Sequence, residues 1–233
     1  EVHAIVGDNG AGKSTLISIA AGIQKANAGE IRVDGRTVDD PRVRTMRQSG
    51  VSVANQHPAL APDLTVRENI LLAAPEMDGA GLTALLGRVA TEALLIDADE
   101  RIEDLNLAQR HMVEIARALA TRPRVVVFDE PTEPFQEAEV ARLFALIAAL
   151  RDEGVAIVYI SHRLNEVAQI ADRISVLRDG RMIATRRAAD YAPGEIVMLI
   201  AGRPLDEVFP PKAAGAAAGP AVLEVAGASG PGF

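Results

Sequence analysis

The chain contains no cysteine. Disulfides and thiolate metal sites are therefore excluded, and the composition fits a reducing compartment such as the cytoplasm. Tryptophan is also absent and aromatic residues make up only 3% of the sequence, so the core must be aliphatic and alanine-rich. Basic residues are outnumbered, 24 lysines and arginines against 32 aspartates and glutamates, for a formal net charge of −8. That balance argues against non-specific nucleic-acid binding, which wants a basic face. No uncharged apolar run approaches the roughly 18 residues that a membrane-spanning helix requires. The first residue is Glu1 and no signal-peptide pattern follows it, so the chain reads as a trimmed or processed piece.

What is present suits a folded protein. The 233 residues, 48% hydrophobic and 24% charged, suffice for one large domain or two small ones with a sizeable core. "VHAIVG" (2–7) reads as a short buried strand and "KSTLISIAAGI" (13–23) as the helix after it. "IRVDGRTV" (31–38) sets Asp34 and Gly35 between two alternating runs, a hairpin signal. "GVSVAN" (50–55) is another strand. From 58 to 120 the texture is helical: Thr65 and Glu68 are spaced as a capping box, and Met112, Ile115, Ala116 and Leu119 share one helix face. Strands return in "RVVVFDE" (124–130) and "GVAIVYISH" (154–162), apolar as strands covered on both faces are. Between them, Val140, Leu143, Phe144, Ile147 and Leu150 form a helical stripe. A second hairpin turns at Asp179 and Gly180, and a short helix is expected near 193–201. Strand–helix alternation around an apolar sheet predicts an α/β fold with a mostly parallel core sheet, a helical insertion over about 58–120 and a small antiparallel part. Residues 209–220 have the composition of a linker, and 221–233 resume a strand-like pattern.

The chemistry begins at "GDNGAGKST" (7–15). Gly7, followed by Gly12, Lys13 and Ser14 at the P-loop spacing, lies between a predicted strand and a predicted helix, as phosphate binding demands. Small residues (Gly7, Gly10, Ala11 and Gly12, with Asn9 among them) let backbone N–H groups close around phosphate oxygens. The positive end of the helix faces the same point. Lys13 supplies a mobile charge for the β- and γ-phosphates, and the Ser14 hydroxyl, followed by Thr15, can bind Mg²⁺. Asp129 and Glu130 emerge at the C-terminal end of an apolar strand, where open α/β sheets bind ligands. Asp129 would hold Mg²⁺ directly or through water, and Glu130 suits a general base that polarises the attacking water. His162, ending the next strand, either contacts the γ-phosphate or merely neighbours a helix cap. Gln56 either reaches Mg²⁺ and the attacking water or is a plain surface glutamine. His3, His57 and His111 share no metal-ligand spacing and read as structural or surface residues.

These pieces, in this order over 1–202, resemble the ATP-binding cassette (ABC) ATPase family: "GDNGAGKST" its Walker A, Gln56 its Q-loop glutamine, "LNLAQ" (105–109) its signature, "VVVFDEPT" its Walker B and "VYISHRLNEV" its switch-histidine segment. "AQRHMVEIARALA" and "LRDGRMIAT" are similar to the bacterial carbohydrate-uptake ATPases, which carry two cassettes in one chain. The resemblance implies a P-loop NTPase fold of the ABC type and the cofactors ATP and Mg²⁺. It implies that Ser14, Gln56 and Asp129 serve the metal and that Glu130 and His162 serve catalysis. Asn106, Ala108 and Gln109 would complete the ATP site of a second cassette. It further implies 1–208 as a first cassette lacking its N-terminal strands, 209–220 as a linker and 221–233 as the start of a second cassette. The implied partners are that second cassette, transmembrane permease subunits and, indirectly, a periplasmic or extracellular sugar-binding protein, with no nucleic acid. The implied place is peripheral, on the cytoplasmic face of the membrane, powering monosaccharide import.

Two segments depart from the family pattern. The signature usually reads LSGGQ; here Asn106 replaces the serine, its amide still able to donate to phosphate, and Ala108 adds a methyl where glycine permits close approach. "EPFQ" (133–136) replaces SALD in the loop that joins the two ATP sites, leaving Gln136 where aspartate is expected. These departures keep two rivals open: a cassette that holds ATP as a regulatory clamp, and a soluble ABC ATPase of translation or DNA repair.

Overall fold

The computed structural model describes residues 1–90 and 94–202. Alternating burial makes the first strand, β1 (Val2–Val6), with Val2, Ala4 and Val6 facing the core. The glycine-rich loop passes straight into α1 (Lys13–Ala20). That helix ends earlier than the sequence pattern predicts, because the Ile23 and Gln24 amides turn back onto the Ser18 carbonyl. A separate antiparallel pair, β2 (Arg32–Val33) and β3 (Arg36–Thr37), turns through Asp34 and Gly35, both at positive φ as a type I′ hairpin demands. Then come α2 (Val43–Gln48), which the pattern did not announce, and β4 (Val51–Ala54).

The helical stretch proper starts at α3 (Val66–Ala73), capped by the expected box: Thr65 accepts from the Glu68 amide, and Glu68 accepts from the Thr65 amide. It continues through α4 (Gly79–Val89) to α5 (Leu107–Ala120). Next are β5 (Val125–Asp129), α6 (Glu137–Asp152) and β6 (Ala156–Ile160). α7 (Leu164–Ile170), also unforeseen, leads to β7 (Arg173–Arg178), β8 (Arg181–Arg187) and α8 (Glu195–Ala201). The predicted α6 stripe holds at Leu143, Ile147 and Leu150, joined by Leu146, while Val140 and Phe144 are only half-buried.

The main sheet runs β4-β5-β6-β1-β7-β8. The first five of these strands are parallel and β8 is antiparallel to β7. Strand β5 is apolar where both its faces are covered: Val126, Val127 and Phe128 are all buried. Helix α5 lies against both α3–α4 and β4, so the insertion is welded to the sheet. Among the described residues no helix is long and apolar enough to cross a membrane. The expected linker (209–220) and the strand-like segment (221–233) lie outside the described residues.

Candidate active site

Parallel strands deliver their C-terminal ends to one edge of the sheet, and the expected chemistry sits on that edge. β1 leads to the glycine loop, β4 to Gln56, β5 to Glu130 and β6 to His162. Together they wall a cleft of about 510 Å³ lined by Asp8, Asn9, Gly10, Gly12, Lys13, Ser14, Thr15, Gln56, Asp129, Glu130, Glu133 and His162.

The loop owes its shape to backbone demands. Gly10 and Gly12 have φ of 81° and 103°, a region costly for other residues. Gly7 is needed for a different reason: a methyl there would overlap the Leu177 carbonyl oxygen of β7. The loop is tied to the same strand's turn, since the Gly180 amide donates to the Ala11 carbonyl at 2.9 Å. Gly7 and Ala11 thus shape the cradle from behind rather than line it. Lys13 departs from the expected mobile charge. It is buried, and its Nζ donates to the carbonyls of Gly7 at 2.9 Å and Asp8 at 3.1 Å, so the loop holds its own cation in place.

Asp129 ends β5, paired in register with Ile160 of β6. Its carboxylate makes no hydrogen bond or ion pair among the described residues. Burial, then the neighbouring Glu130 charge, push its pKa up to about 6, with Lys13 and His57 pulling the other way. Such a carboxylate is ready for a cation. Glu130 leaves the strand at φ 47°, an unfavourable left-handed value, with its amide bonded to the Ile160 carbonyl at 2.9 Å. His162 does not end β6 as expected. It lies beyond it because Ser161 turns the chain, its Oγ accepting from the Arg163 amide. His162 Nδ1 sits 2.7 Å from Glu130 Oε2. With its Nδ1–H spent on that carboxylate, a neutral imidazole offers only a lone pair at Nε2. Donation to a phosphate therefore requires the pair to open or a second proton to arrive.

Gln56 lines the cleft, its Nε2 donating to Glu133 Oε2 at 3.2 Å. Its loop is anchored to α5. The buried Glu114 carboxylate accepts from Asn55 Nδ2 at 2.7 Å and from Arg117 at 2.7 and 2.9 Å. Arg117 also donates to the Ala59 carbonyl at 2.7 Å. Sequence reasoning missed Glu114, although an acidic residue between Val113 and Ile115 on a buried helix is itself a signal. It also missed Asp8 and Glu133 as lining residues.

The cleft does not gather Asn106, Ala108 or Gln109. Asn106 caps α5, its Oδ1 accepting from the Gln109 amide at 2.9 Å. Gln109 spends both ends of its side chain locally, on the Asn106 amide and the Leu95 carbonyl. His111 is buried edge-on to Phe135 and His3 bonds Ser175, both structural as expected.

The donor set fits a magnesium nucleotide. A positive-φ glycine loop, a loop-held lysine and helix-start hydroxyls suit phosphates. A hydroxyl, a carboxylate and an amide oxygen suit a hard cation that also takes substrate oxygens.

Comparison with known proteins agrees with this chemistry. The family model described as ABC transporter matches residues 1–133. The chain is 44% identical over 216 residues to the ribose import ATP-binding protein RbsA 1 of Rubrobacter xylanophilus, covering 90% of this chain and 43% of that protein. It is 47% identical over 215 residues to RbsA of Chelativorans sp., covering 90% and 42%. The chain thus spans under half the length of these curated relatives. Among solved structures, cbiO1 from Clostridium perfringens, part of the ABC transporter complex cbiONQ, superposes with a TM-score of 0.70 at 27% identity, over 89% of this chain and 85% of that one. The ATP-binding cassette MJ0796, solved as a dimer in a post-hydrolysis state with ADP and Pi, gives 0.69 at 26% identity, over 82% and 87%.

Proposed function

The chain belongs to the ABC transporter family, and from that premise we propose that it binds ATP with Mg²⁺ and hydrolyses it to power import of a monosaccharide through a membrane permease. The observation that carries the reading is the convergence, on one sheet edge, of the glycine cradle with Asp129, Glu130 and His162.

In this reading the loop from Gly7 to Thr15 holds the phosphates, with Lys13 fixed among them. Ser14, Gln56 and Asp129 hold Mg²⁺, which when bound neutralises phosphate charge. The Glu130–His162 pair is the resting arrangement. When ATP enters, His162 turns to the phosphate and frees Glu130 to take a proton from the attacking water. Water oxygen bonds to the γ-phosphorus as the bond to ADP breaks. Asn106, Ala108 and Gln109, absent from this cleft, complete the site of a second cassette. The length of the relatives leaves room for that cassette in one protein, with 1–208 here as the first, 209–220 as linker and 221–233 as the start of the next. The protein would then work peripherally on the cytoplasmic face, against permease subunits fed by an external binding protein. Ribose import by the relatives supports the sugar class.

A second reading, a cassette that holds ATP without hydrolysing it, is favoured by one observation: the Glu133 carboxylate lines the cleft and occupies the Gln56 amide. One experiment separates the two readings. ATP turnover of the intact protein is compared with that of Glu130→Gln, alongside ATP binding. Loss of turnover with binding retained supports hydrolysis here; unchanged turnover supports the clamp.

A further inference from the structure

We propose that Glu166 is a positioning residue for the Glu130–His162 pair. The inference rests on the reading that this pair serves hydrolysis.

Glu166 lies in the first turn of α7 and is almost entirely buried. Its Oε2 accepts two hydroxyl hydrogen bonds, from Thr132 Oγ1 at 2.8 Å and Tyr159 OH at 2.9 Å. Its Oε1 accepts from Arg163 Nη1 at 3.1 Å. These donors come from three different places: the loop after β5, strand β6 and the start of α7. Thr132 stands two residues beyond Glu130, and Arg163 directly follows His162. One carboxylate therefore grips both segments that carry the reactive pair, immediately downstream of each member.

Packing alone does not call for an acid here. The adjacent Val167 is fully buried on the same helix, and an apolar residue beside it would avoid desolvating a charge, which costs several kcal/mol unless well compensated. The three donors supply that compensation, and what they hold in register is the 2.7 Å contact between His162 and Glu130. Glu130 also needs holding. Its φ of 47° is strained for a residue with a side chain and persists only when its surroundings over-determine it. The Glu130 amide is fixed to Ile160 on one side. On the other, Thr132 is the next residue with a side-chain restraint, and that restraint is Glu166. The network touches no residue of the glycine loop, so it governs the geometry of the reacting groups rather than ATP affinity.

The test uses the intact protein with Glu166→Ala, Glu166→Gln, Thr132→Val and Thr132→Ser. Misplacing a reacting group by about 1 Å costs on the order of 10²-fold, so kcat is expected to fall about 10- to 100-fold in the Glu166 variants and Thr132→Val. The Kd for ATP should stay within about twofold of the parent. Thr132→Ser, which keeps the hydroxyl, should restore turnover. The His162 imidazole resonance in nucleotide-free protein should move in Glu166→Gln and Thr132→Val but not in Thr132→Ser. In a Glu130→Gln/His162→Ala background, which lacks both members of the pair, Glu166→Ala should add little further loss. A folded Glu166→Gln with parental kcat and an unmoved His162 resonance overturns the proposal, as does a full additional loss in the background that lacks both Glu130 and His162. If Glu166→Ala fails to fold, the Thr132 pair decides in its place. The imidazole readout needs no hydrolysis. Failure of the hydrolytic reading, seen as a Glu130→Gln variant with parental turnover, is thus distinct from failure of the positioning claim.

Discussion

Replacing Asp129 by asparagine should stabilise the nucleotide-free protein while weakening the Mg²⁺ site proposed for it. Burial and the Glu130 charge raise the Asp129 pKa from an ordinary 3.8 to about 6. The folded state therefore holds this proton more tightly than the unfolded chain. The group favours folding most below its unfolded pKa, and that contribution is lost as pH rises through about 6. At 1.36 kcal/mol per pKa unit the gap corresponds to about 3 kcal/mol. Asp129 is only half-buried, and solvent on its open side screens the charge, which reduces the usable penalty to about 1–2 kcal/mol. Asparagine cannot ionise and escapes it. Thermal unfolding in a chelator without nucleotide should place the Asp129→Asn midpoint about 2–8 °C above the parent at pH 8, given about 2–4 °C per kcal/mol for a domain of this size. The advantage should shrink steadily between pH 6 and pH 5. Adding ATP with Mg²⁺ should raise the parent more than the variant, which keeps the phosphate loop but lacks one of the proposed metal ligands. A variant that melts at or below the parent at pH 8, or whose offset ignores pH, would refute the claim that this carboxylate is held at a cost while empty.

Other substitutions test the scaffold. Gly7→Ala should destabilise by about 2–3 kcal/mol, the upper range for overpacking, because its methyl meets the Leu177 backbone. Gly10→Ala, with open space around it, should lose about 1 kcal/mol for its φ alone; equal midpoints in urea would contradict the assigned contact. Arg117→Ala leaves the Glu114 charge buried and should cost about 3–5 kcal/mol by the same assay. Thr65→Ala removes the α3 cap and should cost about 1 kcal/mol, with any larger loss pointing to a role beyond capping.

Much of this architecture was legible because its signals are local. The strand ends at Val6, Ala54 and Asp129, the hairpins at Asp34–Gly35 and Asp179–Gly180, and the Thr65–Glu68 box each follow from a few neighbouring residues. Helices α2 and α7, with 6 and 7 residues, are too short and too mixed in composition to show a stripe, so they escaped, whereas the equally short α8 stands out by its apolar run. Within the site, the glycine loop, Asp129 and Glu130 were readable from spacing. The confinement of Lys13 was not, since it depends on carbonyls turned inward by the loop's own geometry. The partners of Glu114 and Glu166 were hidden for a related reason. These donors lie up to 59 residues away in sequence, and only the folded chain brings them together.

The Glu114 clamp also constrains how this sequence can drift. Asn55, Glu114 and Arg117 satisfy one another inside the protein, and Arg117 reaches on to Ala59. Glu114 is the buried member, so losing Arg117 leaves its charge unpaired out of water and losing Asn55 removes one of its donors, and single steps away from the set cost stability. Descendants should either keep all three or exchange them together for an apolar trio of similar volume. The strip joining the Gln56 loop to α5 is then inherited as a block, and grafting that loop onto another scaffold would require transplanting a piece of helix with it.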